Sequence, residues 1–133
     1  MDIQFHHIGE VVKNIADAYK HYQDFGFKVV NGFEIPKKDT EQRVMVGAVK
    51  LGPLLLELLE PLSNGSPIAD LYKKGGGIYH IGYQTHDLKK TMDNLKNQHR
   101  AKQITPITTS VWDKKPVVFF LGNDYKIFEL IEI

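Results

Sequence analysis

The sequence predicts an α+β fold, two tandem βαβββ modules whose strands make one cupped, mixed sheet. Three observations lead there. The same order of apolar periodicities runs along the chain twice. The tripeptide His7-Ile8-Gly9 returns as His80-Ile81-Gly82, 73 residues later. A glutamate inside an apolar run follows each copy, Glu57 after 50 residues and Glu129 after 49.

The first module, about residues 1–62, opens with a strand over 3–12. Asn14, with Asp17 three residues on, is a helix N-cap followed by an acidic first turn. Ile15, Ala18, Tyr19, Tyr22 and Phe25 recur at helical spacing up to a stop at Gly26. Strands are expected near 27–33, 42–50 and 53–60, beside the turn residues Asn31-Gly32 and Gly52-Pro53. A linker over about 63–77 holds Ser63-Asn64-Gly65-Ser66-Pro67, a short helix around 68–73, and Gly75-Gly76-Gly77.

The second module, about 78–133, repeats the order. A strand spans 78–85, Asp87 caps a helix, and Leu88, Met92 and Leu95 form its apolar face as far as Gln98. Strands follow around 101–105, 116–121 and 125–132, the last two divided by Gly122-Asn123-Asp124.

Bulk properties bound the function. A chain of 133 residues is expected to be a single domain burying about two thirds of its unfolded surface. A net charge of +1 with no basic stripe argues against a nucleic-acid partner. No apolar run approaches the roughly 20 residues that span a bilayer, so no membrane role is expected. Met1-Asp2-Ile3-Gln4 lacks the features of a signal peptide, and a cytoplasmic location is expected. With no cysteine, disulfides, thiolate catalysis and sulfur metal sites are excluded.

His7, Glu57, His80 and Glu129 are the candidate site. A charged side chain inside an apolar strand needs a partner, because losing hydration costs several kcal/mol or more. Strand alternation puts His7 on the face of Phe5 and Gly9, Glu57 with Leu55 and Leu59, His80 with Ile78 and Gly82, and Glu129 with Ile127 and Ile131. Two histidines and two carboxylates at matched positions suggest one shared divalent cation. Nitrogen and oxygen donors without sulfur suit borderline ions such as nickel, cobalt, zinc, manganese or iron. On an octahedral ion, four such ligands leave two places for water or substrate oxygens. His6 and Glu132 have the opposite strand parity and are left outside the site, and His21, His86 and His99 are expected to face solvent. Gly75-Gly76-Gly77 lacks the residues of a phosphate loop, and there is no G-x-S-x-G among only three serines.

On these residues the whole chain resembles the vicinal oxygen chelate superfamily, whose members pair βαβββ modules around one metal. Two enzyme families are similar. Glyoxalase I has a His, Glu, His, Glu metal set that maps onto His7, Glu57, His80 and Glu129. Its last strand resembles Tyr125-Lys126-Ile127-Phe128-Glu129-Leu130-Ile131-Glu132, apart from one extra residue at Phe128. Methylmalonyl-CoA epimerase is similar through Glu41-Gln42, Leu58-Leu59-Glu60-Pro61-Leu62 and Ser66-Pro67-Ile68-Ala69. In that family the glutamate before glutamine is a proton-transfer base.

Both resemblances imply removal of a proton beside a metal-polarised carbonyl, through an enediolate or enolate. The ligand set and the last strand favour glyoxalase I (lactoylglutathione lyase), isomerising a 2-oxoaldehyde–thiol hemithioacetal. Methylmalonyl-CoA epimerase, acting on an acyl-CoA, is the alternative. A non-catalytic binding protein of the same fold is a third reading, which four intact ligands disfavour. The resemblance implies Glu129, Glu57 and Glu41 as catalytic carboxylates. It also implies one divalent ion per site, with nickel first and then cobalt, zinc or manganese, and a homodimer. The arginine and asparagine with which glyoxalase I holds glutathione are Val11 and Pro61 here, and the epimerase pattern Glu-Gln-Gly-Val is Glu41-Gln42-Arg43-Val44.

Overall fold

The computed structural model describes residues 1–133 as a mixed α+β protein with an open sheet of ten strands. The strands are β1 (Gln4–Val11), β2 (Lys28–Val29), β3 (Lys37–Asp39), β4 (Val44–Leu51), β5 (Leu54–Pro61), β6 (Gly77–Thr85), β7 (Ala101–Gln103), β8 (Thr108–Thr109), β9 (Pro116–Gly122) and β10 (Ile127–Glu132). The helices are α1 (Ile15–Asp24), α2 (Ala69–Lys73) and α3 (Leu88–Asn97). None is long and apolar enough to cross a membrane. The chain forms two compact units, His7–Tyr79 on the one hand and Met1–His6 with His80–Ile133 on the other.

In the unit His7–Tyr79 the strand order is β2-β4-β5-β1, with β3 on β4. Asn14 caps α1 as its sequence predicts, its side chain accepting from the Asp17 N–H at 2.9 Å. The helix closes at Gly26, whose φ of 93° is the left-handed conformation that glycine enters without steric cost. Ile15 and Tyr19 pack onto Val49, Leu56 and Leu58. Each such apolar side chain contributes about 1.5–3 kcal/mol when fully buried. α1 lies against β4 at Gly47, where an added Cβ would meet Ile15 Cγ2 at 2.6 Å and the Tyr19 hydroxyl at 2.7 Å. That hydroxyl donates to the Phe33 carbonyl at 2.6 Å and accepts from the Ala48 N–H at 3.2 Å.

The other unit is built alike, in the order β6-β10-β9-β7 with β8 on β9. Asp87 caps α3 by accepting from the Lys90 N–H at 3.0 Å. Leu88, Met92 and Leu95 pack onto Val118, Phe120 and Leu130.

Two expectations need correction. The run over 27–33 is a strand only at Lys28–Val29, with one further bond from the Val30 N–H to the Ala48 carbonyl, and Phe33 turns away to bury its ring and offer its carbonyl to Tyr19. Each unit also holds a strand that the periodicity does not predict, β3 in one and β8 in the other. Lys37-Lys38-Asp39 and Thr108-Thr109 have no apolar alternation, and they take their conformation from pairing with β4 and β9.

Candidate metal centre

The repeated tripeptide has a structural reason. β1 and β5 run parallel with Gly9 opposite Glu57, and β6 and β10 run parallel with Gly82 opposite Glu129. Register partners share a sheet face, and so do residues two apart on one strand. Each histidine therefore lies on the face of its glutamate, and the glycine beside that glutamate leaves room for the carboxylate. On its other side Glu57 neighbours Ala48, whereas Glu129 neighbours Phe119. The Phe119 and His80 rings meet edge to face at 5.2 Å.

His7 Nε2 stands 3.6 Å from Glu57 Oε2, and in the other unit His80 Nε2 stands 3.8 Å from Glu129 Oε2. Both separations are too long for a hydrogen bond. All four residues are buried, with exposures of 0% for His7, 5% for Glu57, 2% for His80 and 5% for Glu129. Burial holds the His7 imidazole down at about 4, so it is neutral at neutral pH, the form that ligates a metal. Carboxylates beside imidazoles in a water-poor setting are the donor chemistry of a divalent cation. Each unit thus carries one buried His–Glu pair of metal-ligating chemistry, His7 with Glu57 and His80 with Glu129.

Glu41 is exposed and lies in the turn between β3 and β4, three residues before β4 begins. The turn ends at Arg43, whose φ is 59°. Arginine stands where the epimerase pattern has glycine, and the backbone keeps the left-handed conformation that a glycine there would favour.

The structure gives three further carboxylates, Asp39, Glu60 and Glu132, defined places. Asp39 pairs with Val44, on the face that Val46 and Ala48 share with Glu57. Burial pushes the Asp39 carboxyl up; the negative charges of Glu57 and Glu41 add to this, and the Gln42 N–H opposes it. Glu60 and Glu132 each follow a candidate ligand by three residues and face the opposite way. They accept from the N–H groups of Ile15 at 2.7 Å and Leu88 at 2.8 Å, the first residues of α1 and α3. Their own 72-residue repeat was the available signal. His6 meets Trp112 edge to face at 5.5 Å, and His21, His86 and His99 are exposed as expected.

Comparison with known proteins agrees with this architecture. Residues 6–108 match the family model described as Glyoxalase/Bleomycin resistance protein/Dioxygenase superfamily. The uncharacterised protein YqjC of Bacillus subtilis is 36% identical over 96 residues, which span 70% of this chain and 65% of that protein. The ethylmalonyl-CoA/methylmalonyl-CoA epimerase of Cereibacter sphaeroides is 32% identical over 97 residues, spanning 70% of this chain and 69% of the enzyme. A solved methylmalonyl-CoA epimerase of Streptomyces coelicolor, in complex with 2-nitronate-propionyl-CoA, shares the fold. Its TM-score is 0.83 at 21% identity, over 99% of this chain and 95% of that one.

Proposed function

Because the chain belongs to the Glyoxalase/Bleomycin resistance protein/Dioxygenase superfamily, we propose that it is a divalent-metal-dependent isomerase of the methylmalonyl-CoA epimerase type. It would invert the carbon next to the thioester carbonyl of an acyl-CoA. The observation that carries the proposal is the buried His–Glu pair, present once in each unit. The epimerase alternative replaces glyoxalase I as the first reading on two grounds. The relatives with a named activity are epimerases. Val11 and Pro61 also stand where glutathione would be held.

His7, Glu57, His80 and Glu129 would hold the ion, and any borderline divalent metal suits that set. When bound, such an ion stabilises negative charge developing on a carbonyl oxygen. The proton work falls to the protein. Glu41 and Glu129 act as a pair, one carboxylate taking the proton from C2 and the other, protonated, returning one to the opposite face. One C–H bond breaks and one forms, so no oxidant or second substrate is needed. The exposed turn gives Glu41 access to a substrate arriving from solvent.

The test is NMR of metal-loaded protein with methylmalonyl-CoA in deuterium oxide, beside an assay with methylglyoxal–glutathione hemithioacetal. Deuterium at C2, with equilibration of the two epimers, is the expected result. Isomerisation of the hemithioacetal with no exchange at C2 would overturn it in favour of glyoxalase I. That second reading rests on the last strand and on the glutamate at Glu57, since epimerases often carry glutamine at this ligand.

A further inference from the structure

The 40–43 turn is fixed from both ends. At its start, Asp39 Oδ1 accepts from the Gln42 N–H at 3.0 Å, so the carboxylate of the last β3 residue spans the turn that contains Glu41. At its end, Arg43 holds a left-handed φ of 59°, and its carbonyl accepts from the Leu62 N–H at 3.0 Å just beyond β5. One anchor is the last residue of β3 and the other directly follows β5, both strands paired with β4, so the turn is tied to the same sheet as Glu57. Asp39 itself is half-buried on the Glu57 face, whereas Glu41 is exposed. The exposed glutamate thus sits on a short segment whose shape depends on a neighbouring carboxylate.

We infer that Asp39 is a positioning residue for Glu41, holding the turn that presents the Glu41 carboxylate to substrate. This rests on the reading of Glu41 as a proton carrier. An acceptor of the right length is what the turn requires, and an asparagine side-chain oxygen supplies the same acceptor. Alanine supplies none, and it leaves the turn to sample other conformations.

The test compares Asp39→Ala, Asp39→Asn, Glu41→Gln and the double variant Asp39→Ala/Glu41→Gln in the metal-loaded protein, with methylmalonyl-CoA as substrate. Asp39→Ala should lower kcat about tenfold with KM within about twofold, a loss of the size expected when one charged hydrogen bond is removed. Asp39→Asn should recover most of that rate. The double variant should be no slower than Glu41→Gln alone, because a residue acting only through Glu41 has nothing left to position. Losses that multiply, or an asparagine variant as slow as the alanine one, would overturn the inference.

A second readout separates it from the functional reading. Hydrogen exchange at the Gln42 amide should accelerate about tenfold in Asp39→Ala and stay near wild type in Asp39→Asn. Unchanged exchange in Asp39→Ala overturns the positioning role even in an active enzyme. Absence of C2 exchange in the wild type removes the function and leaves the amide result standing.

Discussion

Glu60 closes the first turn of α1 by accepting from the backbone N–H of Ile15 at 2.7 Å. That N–H has no acceptor within the helix, and it lies at the positive end of the helix dipole. A carboxylate on β5 therefore fastens helix to strand while Asn14 caps the same end. Glu132 on β10 repeats the arrangement with Leu88.

Removing either cap should destabilise the fold without altering the proposed metal binding. Glu60→Ala is expected to cost about 1–2 kcal/mol in urea denaturation, and Glu132→Ala about the same. Glu60→Gln should cost less, since its oxygen still accepts. Full stability in both alanine variants would show that water serves these N–H groups equally well.

Metal binding should depend on histidines from both units. Titration calorimetry with cobalt or nickel should show His7→Ala and His80→Ala losing at least about hundredfold in affinity. Glu57→Gln should lose only about tenfold, because an amide oxygen remains a ligand. Wild-type affinity in both histidine variants would end the assignment.

The metal-free protein should weaken in mild acid. His7 is neutral in the folded state and is held down at about 4, whereas an unfolded chain takes up its proton near 6.5. Its stabilising contribution is therefore complete above 6.5 and is lost as the pH falls toward 4. The loss amounts to roughly 3 kcal/mol across that window. Urea midpoints measured between these limits test it. His7→Asn should flatten the profile, and an unchanged slope in that variant would assign the effect elsewhere.

Five residues other than glycine carry left-handed backbone, among them Arg43 with φ of 59° and His99 with φ of 51°. His99 stands after α3 where Gly26 stands after α1, and its N–H bonds the Lys96 carbonyl in the corresponding helix-ending pattern. His99→Gly and Arg43→Gly should each raise stability by about 0.5–1 kcal/mol in thermal or urea unfolding. A decrease in either would mean that the side chain contributes more than the conformation costs.

The four candidate ligands were legible because duplication writes them twice, and because each glutamate interrupts an unbroken apolar run. Helix ends were legible from Asn14, Gly26 and Asp87, whose roles are local. β3 and β8 were not, since two or three polar residues become strand only through the hydrogen bonds of a neighbour. The turn that holds Glu41 was not legible either, because nothing in Asp39-Thr40-Glu41-Gln42 announces that one side chain spans the other residues. The choice of substrate was the least legible part. Hemithioacetal and thioester chemistry can share the same metal ligands, and the resemblances supporting each were divided along the chain.

Glu57 and Glu60 are three residues apart on one strand, so they point to opposite faces and perform different tasks. A shift of β5 by one residue would carry Glu57 to the side of α1 and Glu60 to the side of His7. The helix would lose its Glu60 contact at the moment the proposed metal site lost Glu57. β10 links Glu129 and Glu132 in the same way. Each long glutamate strand thus carries its own error check during folding: a chain misaligned enough to spoil the chemistry is also penalised in stability, so a defective site is not preserved inside a well-folded molecule.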